Sequence, residues 1–290
     1  MATPSPEKTI LSQSYDSGLY IVATPIGNLA DISRRAIALL TAADIIAVED
    51  SRITGKLLHH LGIKAKMRRY NDHSSTDDRD RLIDAARDNV VVLVSDAGTP
   101  LISDPGYKLV RAARAAGVLV STAPGPSAAI AALSICGLPT DRFLFAGFLP
   151  NKAKARDDAI AGYAGIDATL VFYESGPRLG AALAALASGL GRREAAVARE
   201  LTKKFEEVVT ATLPELAARY LAEEPKGEIV IVIGPPEQID RLETGDLDTA
   251  LTEALARLPT AKAAAEVAKR FGLERSEVYA RAAAIKAARK

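Results

Sequence analysis

Apolar and polar positions fall into two textures along this chain. Up to about residue 137, short apolar runs are separated by alanine-rich helical stretches. Leu19–Ala23, Ile45–Val48, Val90–Val94 and Val118–Val120 read as strands, and Val90–Val94 has the β-branched bias of a buried one. Helices are expected near Ile32–Leu40, near Leu109–Ala116 and from Ser127 to Ser134. This alternation predicts β-α units and a mainly parallel sheet.

After Gly137-Leu138-Pro139 the texture changes. Phe143–Phe145, Thr169–Tyr173, Ala195–Ala198, Val208–Ala211 and Ile229–Ile233 read as strands with fewer helices between them, which predicts a second, mixed sheet. Gly234-Pro235-Pro236 ends the last of them, because proline cannot continue a central ladder. A polar linker, about Glu237 to Asp246, leads to helical stretches at Ala261–Arg270 and Ser276–Ala288. Val278, Ala282 and Ile285 form one apolar stripe at helical spacing, and Gly272 sits where a helix would end. Two short helices joined through glycine are helix-turn-helix-like, with a simple packing hairpin as the alternative. The expected organisation is a flexible start (1–17), an α/β domain (18–137), a second α/β domain (138–236) and a helical extension (246–290).

Composition narrows the classes. The 290 residues are 48% hydrophobic and 25% charged, which is ordinary for a soluble globular protein. One cysteine, Cys136, allows no disulfide framework within one chain and fits a reducing, cytoplasmic compartment. No apolar run is long enough to span a bilayer, and the first 17 residues lack the apolar core of a signal peptide. His59, His60 and His73 show no metal-ligand spacing, so no metal site is expected. The net charge of +1 hides an asymmetry: residues 257–290 carry nine Lys/Arg against three Asp/Glu. A basic tail on a mildly acidic body hints at a polyanionic partner, although a solvated helical face would look the same. Lys64, Lys66, Arg68 and Arg69 form a second basic cluster, and Lys152, Lys154 and Arg156 a third.

Chemistry concentrates where strands end. The segment from Val92 through Ser95-Asp96-Ala97-Gly98-Thr99 to Asp104-Pro105-Gly106 passes from strand to small, acidic, turn-forming residues. In a parallel sheet, ligands bind beyond the carboxyl ends of strands, where small residues admit close approach and carboxylates accept hydrogen bonds. Asp-Ala-Gly and Asp-Pro-Gly are also common turn formers. Ala23 to Leu29, Glu49-Asp50-Ser51-Arg52 and Ala123-Pro124-Gly125-Pro126-Ser127-Ala128 would gather at the same edge. In the second domain, Tyr173-Glu174-Ser175-Gly176-Pro177-Arg178 closes one strand and Arg199 to Glu206 closes another. Such bunched charges can hold a substrate or move protons; surface ion pairing is the bland alternative. No G-x-G-x-x-G, G-x-x-x-x-G-K-[ST] or G-x-S-x-G occurs, which lowers the weight of hydride transfer, nucleotide hydrolysis and serine hydrolysis.

Leu19 to Leu29, Glu49 to Arg52, Val94 to Gly106, Gly147-Phe148-Leu149-Pro150 and Arg199 to Glu206 together resemble the ribosomal RNA small subunit methyltransferase I family of the tetrapyrrole methylase superfamily. The resemblance spans about Gly18 to Pro236, and the basic terminus resembles the helix-turn-helix extension of many members. It implies two α/β domains with a cofactor cleft between them and a small C-terminal helical extension. It also implies an S-adenosylmethionine-dependent homodimer that methylates a cytidine ribose 2′-hydroxyl in the decoding region of 16S ribosomal RNA. By motif position, Pro25, Asp96, Gly98, Ser127 and Ala128 would line the cofactor pocket, joined by Phe145, Gly147 and Gly227 from the second domain. Glu174 or Glu200 would accept or orient the hydroxyl proton, while Arg178 and Lys203 hold the RNA backbone.

The family often shows Glu-Ser-Pro-His-Arg where this chain has Glu174-Ser175-Gly176-Pro177-Arg178, so no imidazole is available there. Two rival readings are a tetrapyrrole-type small-molecule methylase and a non-catalytic donor-sensing regulator that binds DNA. The first is disfavoured because such relatives usually carry Gly-x-Gly-Pro-Gly-Asp where this chain has Ala23 to Asn28.

Overall fold

The computed structural model describes residues 14–71, 73–236 and 244–288, which divide into two compact units, one ending at Pro236 and one beginning at Glu237. The larger unit holds two five-stranded sheets.

The first sheet contains β1 (Gly18–Val22), β2 (Ile45–Val48), β3 (Met67–Arg69), β4 (Val90–Leu93) and β5 (Val120–Ala123), in the order β3-β2-β4-β1-β5 and all parallel. Every residue of β1, β2 and β4 is buried, as strands covered on both faces require. One face packs on α3 (Thr76–Asp88) and α4 (Tyr107–Ala115), the other on α1 (Arg34–Ala42) and α2 (Ser51–His60). The connections from β1 and β4 leave towards opposite edges, so the exits of these adjacent strands frame a crevice.

Several elements differ from the sequence reading. Helices α2 and α3 and strand β3 were not expected: α2 carries only a short apolar stripe of Ile53, Leu57 and Leu58, and α3 begins Thr-Asp-Asp-Arg-Asp and buries only Leu82, Ile83 and Ala86. It is fixed instead by a capping box between Ser75 and Asp78. The strand expected at Val118–Val120 begins two residues later, because Gly117 (φ +70°) and Val118 close the end of α4. At the other end of α1, Ser33 caps the Ala36 N–H at 3.0 Å, placing the start two residues after Ile32. Of the expected flexible start, residues 1–13 lie outside the described residues, while Tyr15 packs edge-on against Tyr20 at 5.8 Å.

The second sheet contains β6 (Phe143–Phe148), β7 (Thr169–Ser175), β8 (Glu194–Arg199), β9 (Glu207–Thr212) and β10 (Glu228–Ile233), in the order β6-β7-β10-β8-β9. Only β6 and β7 run parallel, giving the mixed sheet. Three helices intervene, fewer than the four between the strands of the first sheet: α6 (Ala153–Tyr163), α7 (Gly176–Leu190) and α8 (Leu213–Ala222), which cover one face. The other face is covered by α5 (Ala128–Ile135), which follows β5 of the first sheet. The two halves on either side of residue 137 therefore share a core.

The smaller unit has three helices rather than two: α9 (Thr244–Arg257), α10 (Thr260–Phe271) and α11 (Arg275–Ala288). Val278 and Ala282 are buried and Ile285 partly so, while Gly272 ends α10 in the left-handed conformation. Residues 237–243 of the expected linker lie outside the described residues.

Candidate active site

The strand exits of the first sheet are bound into one framework by backbone pairing. Thr24 and Gly98 exchange hydrogen bonds at 2.8 and 3.0 Å, joining the loops after β1 and β4. Thr99 donates its hydroxyl to the Pro126 carbonyl at 2.9 Å, joining the loops after β4 and β5. The Asp50 N–H donates to Asp96 Oδ1 at 3.1 Å, joining the loops after β2 and β4. Gly98 has φ +78°, a conformation open to glycine at little cost.

Opposite these loops stand the ends of β6, β7 and β8 and the start of β10. Between the two sheets lies a cleft of about 460 Å3, within the range of small-ligand sites. Six carboxylic residues line it (Glu49, Asp96, Asp104, Glu174, Glu200 and Glu228) and no Lys or Arg does. Among the described residues, the four non-glycine residues with positive φ are Leu101, Ser103, Glu200 and Thr202, all in two loops at this cleft. Such strain costs about 1–3 kcal/mol per residue and gathers where a site must be held in shape.

Glu174 is the buried acid of the cleft, its side chain 1% exposed. Its Oε1 accepts the Ser175 N–H at 2.9 Å and lies 3.1 Å from Arg178 Nε. Its Oε2 is buried without a hydrogen-bond partner. Leaving a buried polar atom unmatched costs about 1–3 kcal/mol; among the described residues seven side-chain atoms are in that state, and Glu174 Oε2 is the one that belongs to a carboxylate and to a residue of the cleft lining. Arg178 is itself anchored, donating from Nη2 to the Leu149 carbonyl at 2.6 Å. Glu200 (φ +50°) places Oε1 3.0 Å from Lys203 Nζ, and the same ammonium lies 3.5 Å from Glu228 Oε2. Burial alone would lower the Lys203 pKa, but the hydrogen bond to Glu200 and the nearby Glu228 and Glu200 charges outweigh it and raise it. Gly227 (φ +99°) leaves room for Glu200: a Cβ there would sit 2.2 Å from Glu200 Oε1.

Asp96, Gly98, Ser127, Ala128, Glu174, Glu200 and Gly227 thus line one cleft. Pro25 does not, although the adjacent Ile26 does; Phe145 and Gly147 do not either, although Phe148 does. Arg178 and Lys203 are also off the lining and engaged with carboxylates inside the protein. That is not the arrangement of side chains held out towards a phosphate.

Asp104, Tyr173 and Glu228 also line the cleft and had not been singled out. Burial pushes the Asp104 carboxyl up to about 6, with a hydrogen bond to Ser95 opposing and the Asp96 charge adding to the rise. Asp104 therefore favours the folded state while protonated, and that contribution is lost as pH rises from its unfolded value of 3.8 through about 6. Asp104→Asn is expected to raise the thermal midpoint relative to the parent at pH 8, with the difference closing by pH 4. Parallel pH profiles for the two proteins would contradict this.

Comparison with known proteins agrees with this architecture. Residues 18–217 match the Tetrapyrrole (Corrin/Porphyrin) Methylases family, and residues 242–286 match the RsmI C-terminal HTH domain. Ribosomal RNA small subunit methyltransferase I of Erythrobacter litoralis is 54% identical, covering 93% of this chain and 95% of that one. The protein of that name from Escherichia coli O157:H7 is 46% identical over 90% and 93% of the two chains. Among solved structures, diphthine synthase superposes with a TM-score of 0.59 at 19% identity, covering 74% of this chain and 89% of that one. Uroporphyrin-III C-methyltransferase from Thermus thermophilus complexed with S-adenyl homocysteine gives 0.51 at 22% identity, over 75% and 97% of the chains. By family match, by identity across nearly its whole length and by fold, the chain belongs to the ribosomal RNA small subunit methyltransferase I family of tetrapyrrole methylases.

Proposed function

We propose that this chain transfers a methyl group from S-adenosylmethionine to the ribose 2′-hydroxyl of a cytidine in the decoding region of 16S ribosomal RNA. It acts on the small ribosomal subunit in the cytoplasm, as a homodimer. The observation that carries the reading is the buried, unpartnered Glu174 Oε2 in a cleft shared by both sheets. The names of the relatives supply the substrate class.

The cleft suits such a donor, because its acidic lining favours a cationic ligand and its volume is of the right class. When bound, the donor supplies an electrophilic methyl carried on a positively charged sulfur. Asp96, Gly98, Ser127 and Ala128 would hold it from residues 18–137 and Gly227 from residues 138–236.

The chain's own work is alignment and proton management. A rigid framework that orients the acceptor can contribute roughly 7–11 kcal/mol to lowering the barrier. A ribose hydroxyl is a weak nucleophile, so Glu174 Oε2 would take its proton as the methyl passes to the oxygen, the sulfur–methyl bond breaking and the donor leaving as the neutral thioether. The Ser175 N–H and Arg178 hold the other carboxyl oxygen and thereby aim Oε2. Lys203 similarly fixes Glu200 at the floor of the cleft. Arg178 and Lys203 are thus positioning residues.

RNA attachment falls to basic surfaces, including residues 246–290. Lys262, Lys269 and Arg275 are exposed there. Changing all three to glutamine should weaken small-subunit binding and reduce the slope of log K against log salt by about three. Donor affinity should not change; an unaltered salt slope would exclude this surface. The homodimer follows from the family resemblance, and Ile130 and Ile135 of α5 are exposed and available to such an interface. A monomeric mass by light scattering would exclude it.

The reading as a whole is tested with labelled donor and three acceptors: small subunits from cells lacking this gene, free 16S RNA, and a uroporphyrinogen-type tetrapyrrole. Label in the RNA of the subunits is expected. Label in the tetrapyrrole alone, or in none of the three, would overturn it.

A further inference from the structure

Strand β6 contains an irregularity with a directed consequence. Phe145 pairs with Val171 and Gly147 with Phe172, so Ala146 is an extra residue without a partner, a β-bulge. In a regular strand Phe148 would share a face with Leu144 and Ala146, which pack into the helix-covered core. The bulge reverses this: Phe148 is paired with Tyr173 and lies on the same face as Phe145. Bulges re-aim side chains in this way beside active sites. Gly147 makes it possible with φ +67°, at a point where a Cβ would meet Ser103 Oγ at 3.1 Å.

The redirected ring lines the cleft yet is 55% exposed, an unusual state for phenylalanine. It meets Tyr173 at 5.7 Å with the planes at 66°, and Tyr173 also meets Phe145 at 4.8 Å. The Tyr173 hydroxyl accepts the Ala129 N–H at 3.2 Å, which anchors the support. With this edge-to-face contact made, Phe148 still leaves more than half its surface exposed. Ile102, 40% exposed on the β4 loop, adds apolar surface to the same lining. An anchored aromatic with exposed ring surface is what a nucleobase stacks on.

We propose that Phe148 is the stacking platform for the base of the acceptor nucleotide, a positioning residue that holds the ribose hydroxyl over Glu174. This rests on the RNA methylation reading above. The test compares Phe148→Leu, Phe148→Ala and Phe148→Trp in the full chain. It measures kcat and KM with small subunits from cells lacking the gene, and donor affinity by calorimetry.

Leucine keeps apolar volume without a π face. Phe148→Leu and Phe148→Ala should both lose about ten- to a hundredfold in kcat/KM for subunits, the range expected for base stacking. Phe148→Trp should retain parental activity, and donor affinity should be the same in all. Parental activity in Phe148→Leu would overturn the proposal, as would a parallel loss of donor affinity, which would assign the ring to the donor's adenine. A parent protein that binds donor but methylates no subunits would instead refute the RNA reading, and this proposal with it.

Discussion

Replacing Glu174 by glutamine is expected to lower kcat for methyl transfer by about two to four orders of magnitude, the usual contribution of a positioned proton acceptor. Glutamine preserves size and an acceptor oxygen for the Ser175 N–H, but its amide cannot take a proton. Donor affinity and KM for small subunits should stay within a few-fold of the parent, because the loss is confined to the transition state. The prediction is specific to Glu174: both carboxylates meet a cation through Oε1, but the second oxygen of Glu174 is buried and unmatched on a side chain 1% exposed, whereas the Glu200 side chain is 21% exposed. Arg178→Met should show a weaker form of the same pattern, since it frees Glu174 without removing it. Rapid-quench kinetics at saturating donor would read the difference. A Glu174→Gln enzyme that turns over at parental rate would remove the proton-accepting role.

The second large effect concerns stability. Gly176 opens α7 immediately after Glu174 and Ser175, and a Cβ there would lie 1.8 Å from the Pro225 carbonyl oxygen. The obstruction is backbone from the segment before β10, so no side-chain rotation relieves it. Gly176→Ala should therefore cost about 3 kcal/mol, the upper range for overpacking. For a unit of this size that corresponds to a fall of about 6–12 °C in the thermal midpoint. Gly162→Ala in α6 is the matched control, as a Cβ there meets nothing within 4 Å. It should be neutral or stabilising by up to about 1 kcal/mol. Equal midpoints for the two variants would contradict the packing argument.

Much of this was legible in the chain itself. The buried strands β1, β2, β4 and β10 are uniform apolar runs, and such runs bounded by turn residues have few other readings. The gathering of Asp96, Gly98 and Ser127 followed from the geometry of parallel sheets, since all three lie beyond strand ends. Elements stabilised by caps and charge rather than apolar period were missed, α3 and the exposed edge strand β3 among them. Helix α5 is apolar but for Ser134, so its sequence could not say which sheet it covers; it packs on the second.

Within the site, the orphaned oxygen of Glu174 and the burial of Asp104 are products of tertiary packing and leave no local trace. The engagement of Arg178 and Lys203 was likewise invisible, because a basic residue after a strand reads alike whether it faces solvent or an acid. One missed feature did have a signal. Gly147 interrupts the aromatic run Phe143-Leu144-Phe145-Ala146-Gly147-Phe148, and an isolated glycine within a strand marks a bulge or a close approach. Here it is both.

The central claim is that the cleft between the two sheets is a donor site with Glu174 beside it. Calorimetric titration of the full-length folded protein with S-adenosylhomocysteine tests it most directly, repeated on Gly98→Val and Glu174→Gln. The account predicts saturable heat near one ligand per chain, lost or greatly weakened in Gly98→Val and preserved in Glu174→Gln. Absence of binding to the folded parent, or undiminished binding by Gly98→Val, would contradict it.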